Sequence, residues 1–380
     1  MSKNIKRIDA HIHYALPFSG EELTKIMDAT GTDMANLVVV PHRQRLTSVP
    51  DALMVKDMYP GKMYVFSSLD VSVFYRYKNK VGRMMSLYAM EMLKCGCDGI
   101  KIIEGKPNMR KLIPVPDWNK RVWDPFFDYC EKHAVPILWH VNDPEEFWDE
   151  KKAPSWAKEQ GWLYDESFVN NEAQYLQVLE RLEKNPKIKI IFAHFFFMSA
   201  QLSRLAAILD RFPNVMVDIT PGIEMYKNFS DAPEQAAAFF EKYQDRIVYG
   251  TDIGARGVIG SCPVSYEESL ARTEIVQSFL ECEGSKEVKS DGFFLASGTD
   301  FEMKCLGLGD EMLEKIYHRN FENFVGHEPK KVNAKLLLKF CLKERFVLKV
   351  MALIDKELTP DTSCLTQVET YFKNKEEIKA

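Results

Sequence analysis

Short apolar runs rich in β-branched and aromatic residues alternate along this chain with longer segments whose apolar positions recur every three to four residues. The runs are IKRIDAHI, NLVVVP, KMYVFSSLD, DGIKII, VPILWHV, IKIIFAH, NVMVDIT and RIVYGTD, eight in all. Between them fall EELTKIMDAT, VGRMMSLYAMEMLKC, WDPFFDYCEKH, NEAQYLQVLERLEKN, SAQLSRLAAILDRF and APEQAAAFFEKY. The first pattern predicts strands and the second amphipathic helices. Strands that are apolar throughout and alternate with helices predict a parallel sheet covered on both faces.

Eight such units predict an α/β fold, a closed (β/α)8 TIM barrel, which typically needs about 250 residues. The span from Ile5 to about Gly254 has that length. A doubly wound open sheet is the alternative, disfavoured because no glycine-rich phosphate loop follows the first run.

Three segments exceed a minimal barrel and predict extended βα loops and a C-terminal helical extension. NDPEEFWDEKKAPSWAKEQGWLYDESFVN follows the fifth run and carries Phe147, Trp148, Trp156, Trp162 and Tyr164. Long βα loops lie on the catalytic face of barrels, so this one is expected to wall or cover the pocket. A second extended connection runs from about Ile253 to Gly284, after which GDEMLEKIYHRNFENFVG reads as the last barrel helix. The expected division is a barrel over 1–327 and a helical extension over 328–380. The extension should pack on the barrel or on a second subunit of a homo-oligomer.

Composition narrows the partners. A net charge of −5 and a pI near 6.0 give no electrostatic support to nucleic acid or an anionic membrane, which leaves a small-molecule substrate. The eight cysteines form no C-x-x-C pair, and no secretory signal precedes the first strand, so a cytoplasmic protein with reduced thiols is expected. The most apolar stretch, IKIIFAHFFFM, is too short to span a bilayer.

The chemistry lies where the runs end. In DAHIH the imidazoles of His11 and His13, two apart on a strand, share a face. A pair of histidines near an N-terminus can be a surface accident, so the other strand ends decide. The fifth run ends at His140, the sixth at His194 and the eighth at Asp252. Barrel active sites are assembled from C-terminal strand ends, and histidines with a carboxylate suit Zn2+ or a similar divalent ion. His42, His133, His318 and His327 fall at less telling positions, although His42 stands just past the second strand.

D-x-H-x-H in the first strand, single histidines ending the fifth and sixth and GTD ending the eighth resemble the amidohydrolase superfamily. More narrowly, they resemble its metal-dependent branch containing aminocarboxymuconate-semialdehyde decarboxylase with related hydrolases, hydratases and decarboxylases. The likeness runs from the first strand to HRNFENFVG, which is similar to that family's closing helix, and does not cover the tail. It implies that His11, His13, His140 and Asp252 bind one metal, most readily Zn2+ with Mn2+ or Fe2+ as alternatives, while His194 stays free for proton transfer. Two-metal members bridge their ions with a carboxylated lysine at the end of the fourth strand. Lys101 stands there, and a neutral or substrate-contacting role is expected of it instead.

The expected activity is metal-assisted hydrolysis of a C–O or C–N bond in a small carboxylated molecule, with His194 and Asp252 as the catalytic groups. Non-oxidative decarboxylation in the same site is the alternative, and a barrel that has lost catalysis is a third. Lys101, Arg256 and Trp148 are candidate substrate contacts, and Asp9 is a candidate for orienting a ligand histidine.

Overall fold

In the computed structural model, residues 5–14, 20–42, 44–222, 224–254, 265–289 and 300–377 are described. The expected runs form β1 (Ile8–Tyr14), β2 (Met34–Val39), β3 (Met63–Ser67), β4 (Gly99–Gly105), β5 (Ile137–Val141), β6 (Ile190–Phe192) and β7 (Val215–Asp218). The eighth run is split into β8 (Ile247–Val248) and β9 (Ile253–Gly254). All pair in parallel in the order β8-β7-β6-β5-β4-β3-β2-β1-β9. β8 therefore joins β7 while β9 joins β1, and the sheet closes on itself as a TIM barrel. Between the two halves, Ala10 N–H donates to Tyr249 O at 3.0 Å and Asp252 N–H to His11 O at 2.9 Å.

Every residue of β1 to β5 is buried, as expected where side chains face either the barrel interior or the surrounding helices. Ile8 and Ala10 pack inside with Phe66, Leu138, Ile191 and Val248, and Phe321 and Phe324 of the closing helix plug that end. The β1–β2 register shifts between Asp9 and Ile12. A one-residue irregularity reverses which face later side chains take. Beyond it Ile12 and Tyr14 face the outer helices, and His11 and His13 line the interior above Ala10.

The elements absent from the sequence reading include a helix and a hairpin. Helix Val49–Met58 is buried on most sides, between the sheet and the C-terminal helix, and so lacks the one-sided apolar stripe that marks a surface helix. An antiparallel hairpin pairs Ser285–Val288 with Phe301–Lys304, and its first strand is mostly exposed.

The tail forms helices Ala334–Ile354 and Ser363–Glu377. Leu337, Phe340 and Cys341 join a buried cluster with Tyr88, Met92 and Leu53, and Tyr371 donates to Asp57 at 2.8 Å. Among the described residues, no helix is long and apolar enough to cross a membrane. In the KCGCDG stretch Gly96, at φ 118°, terminates helix Val81–Cys95.

Candidate metal centre and active site

Strand ends bring the expected residues together. His11, His13 and Asp252 each direct one donor atom toward a common point, with those atoms all within 4.8 Å of one another. His13 Nε2 stands 2.9 Å and His11 Nε2 3.7 Å from Asp252 Oδ1. Donors bound about 2.1 Å from one shared ion stand roughly 3–4 Å apart, so the set fits a divalent cation. His194 lies alongside, its ring 5.6 Å from that of His11, and His140 is 5.0 Å beyond His194. His140 is thus at the edge of the constellation and outside the tight trio.

Asp218, at the end of β7, organises these rings and was not picked from the sequence. Its Oδ2 accepts from His11 Nδ1 at 2.8 Å. Its Oδ1 accepts from the His194 backbone N–H at 2.7 Å and from Thr220 Oγ1 at 2.6 Å. Thr220 Oγ1 in turn accepts from His194 Nδ1 at 3.0 Å. With both Nδ1 atoms engaged as donors, His11 and His194 each keep Nε2 unprotonated, with its lone pair directed into the site. Burial pushes the Asp218 carboxyl upward, and these donors work against it.

Asp9, expected to orient a histidine ring, does something else. Its Oδ1 accepts from the backbone N–H groups of His11 and Thr251, so it fastens β1 to the loop between β8 and β9. The side chain two residues before a strand histidine lies on that residue's own face, but the register shift in β1 turns the carboxylate toward the backbone.

The other site groups are held as firmly. Asp252 Oδ2 accepts from Arg272 at 3.0 Å, on helix Tyr266–Glu281. Burial would raise its carboxyl, but His13, His194 and Arg272 outweigh that and hold it well below the usual range. Burial drives His11 and His194 well below 6.5 and His140 to about 4, so all three are neutral at pH 7, the form that binds metal. Lys101 donates to His11 Nε2 at 2.9 Å, and burial lowers its amine to about 8. The ammonium therefore rests on the lone pair that a metal would use, and metal entry requires it to turn away.

Asp143, three residues past His140, stands 3.4 Å from His140 Nε2 and 2.6 Å from Lys106 Nζ, and accepts from the Tyr164 hydroxyl. Despite its burial, Lys106 and His140 draw its carboxyl down to about 2. Tyr164 belongs to the aromatic loop after β5, which this bond ties to the catalytic face. Trp148 packs on Tyr164 with ring centroids 4.6 Å apart, and both line a cleft of about 620 Å³ within the loop. Arg256 lies outside the described residues.

Backbone strain concentrates here. Asn142, four successive residues from His194 to Phe197, and Asp252 all have φ between 51° and 68°. Left-handed backbone costs non-glycine residues roughly 1–2 kcal/mol each. Packing holds it: Phe196 stacks on Phe192 at 3.9 Å, Phe195 is surrounded by Phe229, Phe239 and Phe240, and Phe197 stacks on His194 at 5.0 Å. The FFF run is the clamp that presents His194. At Gly254 a Cβ would fall 2.1 Å from His13 O, so the approach of β9 to β1 needs glycine.

A family profile described as amidohydrolase matches residues 111–325, more than half of the chain. The chain belongs to the amidohydrolase family. Its solved relatives agree with the fold. A protein described as amidohydrolase II is 14% identical with a TM-score of 0.53, over 84% of this chain and 99% of its own. An uncharacterised TIM-barrel protein from Bordetella bronchiseptica is 15% identical at 0.53, over 85% and 99%. The 5-carboxyvanillate decarboxylase of Sphingomonas paucimobilis is 9% identical at 0.50, over 85% and 99%. No curated protein matches the sequence. Amidohydrolases are enzymes that typically depend on a divalent metal, and this amidohydrolase has a donor set that fits one.

Glu104, near the end of β4, makes stability depend on pH. Burial raises its carboxyl from an ordinary 4.5 to about 7, and among the described residues Oε1 has no hydrogen-bond partner. Below pH 4.5 both folded and unfolded chains hold the proton and no penalty exists. As pH rises toward 7 the unfolded chain ionises first, and the folded state loses about 3 kcal/mol by this group alone. Glu104→Gln is therefore expected to raise Tm at pH 8 and to leave it unchanged at pH 4. Equal gains at both pH values in thermal melts would contradict this assignment.

Proposed function

We propose that this amidohydrolase hydrolyses a C–O or C–N bond, in an ester, lactone or amide, of a small carboxylated substrate. The convergence of His11, His13 and Asp252 on one buried point, with His11 and Asp252 held from behind, carries the reading. These three, with His140, would hold one divalent ion, Zn2+ in first place with Mn2+ and Fe2+ as alternatives. Such an ion polarises a substrate oxygen and acidifies water. Asp252 is kept ionised, so one oxygen can take the proton of the attacking water while Arg272 retains the other. His194 enters as a neutral imidazole with Nε2 free. It can take that proton over from Asp252 and deliver it to the leaving group, so that the proton lost by water ends on the leaving atom. The ammonium of Lys101 and the guanidinium of Arg256 are assigned to the substrate carboxylate, and Trp148 to an apolar wall.

Decarboxylation is the second reading. It is favoured by Phe197, whose ring stacks on His194 and lies 5.3 Å from that of His140, a flat wall suited to an aromatic acid, with Lys101 nearby for its carboxylate. Turnover of a panel of lactones, esters, amides and aryl acids in 18O-labelled water separates the two. Hydrolysis predicts products carrying one solvent oxygen and no carbon dioxide. Carbon dioxide released without solvent oxygen in the product would replace it with decarboxylation.

A further inference from the structure

The cleft of about 620 Å³ in the loop after β5 is walled by Trp148, Tyr164 and Phe168 and rimmed by the exposed acidic side chains of Glu150, Asp165 and Glu166. It shares no residue with the trio His11, His13 and Asp252. Tyr164 stands in the middle of the wall, its ring 4.6 Å from that of Trp148 and 4.7 Å from that of Phe168. Its hydroxyl is held by Asp143 and its N–H donates to Phe147 O at 2.8 Å, so the wall is formed before anything binds.

Rings of this loop already take up cations from the barrel. Lys106 Nζ lies 4.2 Å over Trp162, and Lys111 Nζ lies 3.9 Å over Phe168 while donating to Ser167 Oγ at 2.6 Å. Among the described residues no lysine or arginine stands over Trp148, and its Nε1 is shielded from solvent without a hydrogen bond. The rim is similarly unneutralised. Asp165 is engaged by Ser167, but the Glu150 and Glu166 carboxylates have no ion-pair partner among the described residues, and Lys158 donates to the backbone carbonyl of Glu150 instead. No basic side chain lines the cleft.

We propose that this cleft is a binding site for a quaternary or methylated ammonium, beside the metal centre and distinct from it. Such an ion is attracted by the faces of Trp and Tyr rings, and its methyl groups fit an apolar wall. The rim selects charge: an anion would meet Glu150 and Glu166 unfavourably, and a neutral molecule would gain nothing from them.

Isothermal titration of the purified protein with choline and with its uncharged carbon isostere, 3,3-dimethylbutan-1-ol, tests it. Choline is expected to bind about tenfold more tightly. Trp148→Leu should erase that preference. The double variant Glu150→Gln, Glu166→Gln, at two exposed positions, should reduce it about threefold or more with Tm unchanged, and His11→Ala should leave it intact. Equal affinity for the two probes, or a preference that survives either Trp148→Leu or the double variant, would overturn the proposal. Loss of the preference in His11→Ala would do so too, by putting choline at the metal centre. No turnover is measured, so failure of the hydrolytic reading and failure of ammonium binding are read separately.

Discussion

Asp252→Asn is expected to lower kcat by about 10³-fold or more while the protein stays folded. The carboxylate sits between His13 Nε2 and Arg272, and the charge that removes a proton is the same charge that offsets a buried guanidinium. Asparagine keeps a carbonyl oxygen for Arg272, so its loss in stability should be smaller than that of Asp252→Ala. The alanine variant takes the Asp252 carboxylate away from Arg272, and breaking a buried ion pair in this way costs about 3–5 kcal/mol. Steady-state kinetics beside thermal melts check both statements. A modest fall in kcat for the asparagine variant would remove Asp252 from the chemistry and leave it a structural counter-ion.

The second large effect is expected at Asp218, although Asp218 points its oxygens at Nδ1 of His11 and the backbone of His194 and offers none to the common point. Asp218→Asn replaces one acceptor oxygen by an NH2 group that cannot accept from His11 Nδ1 or from Thr220. Either His11 Nδ1 loses its acceptor or, with the amide turned the other way, Thr220 and the backbone N–H of His194 lose theirs. Removing such a supporting group typically weakens metal binding 10–100-fold. The expected result is a protein that needs about that much more metal for full activity, with a lowered Tm. Metal titration of activity on chelator-stripped protein measures it. An unchanged metal requirement would mean that His11 is oriented by something else.

The barrel was legible because its strands, buried on both sides, read as continuous apolar runs. The candidate residues His11, His13, His140, His194 and Asp252 stood out because a polar side chain closing such a run has few reasons to be there. By that rule Asp218, the last residue of the VMVD strand, carried the same signal as Asp252 and could have been found. Asp143, three past His140, was open to the same argument. Other features left no trace. Nothing in AHFFFM announces a left-handed turn, because phenylalanine has no preference for that backbone and only its packing against Phe192, Phe229 and Phe240 makes it stable. The role of Asp9 depended on a register shift that spacing cannot reveal.

The most direct test of the metal centre is the number of divalent ions per chain, by elemental analysis, in protein purified without chelators and in His11→Ala. About one ion per wild-type chain, largely lost in the variant, is the result this arrangement of His11, His13 and Asp252 predicts. No bound ion in the wild type, even after exposure to Zn2+ or Mn2+, or an ion content unaffected by His11→Ala, would contradict it.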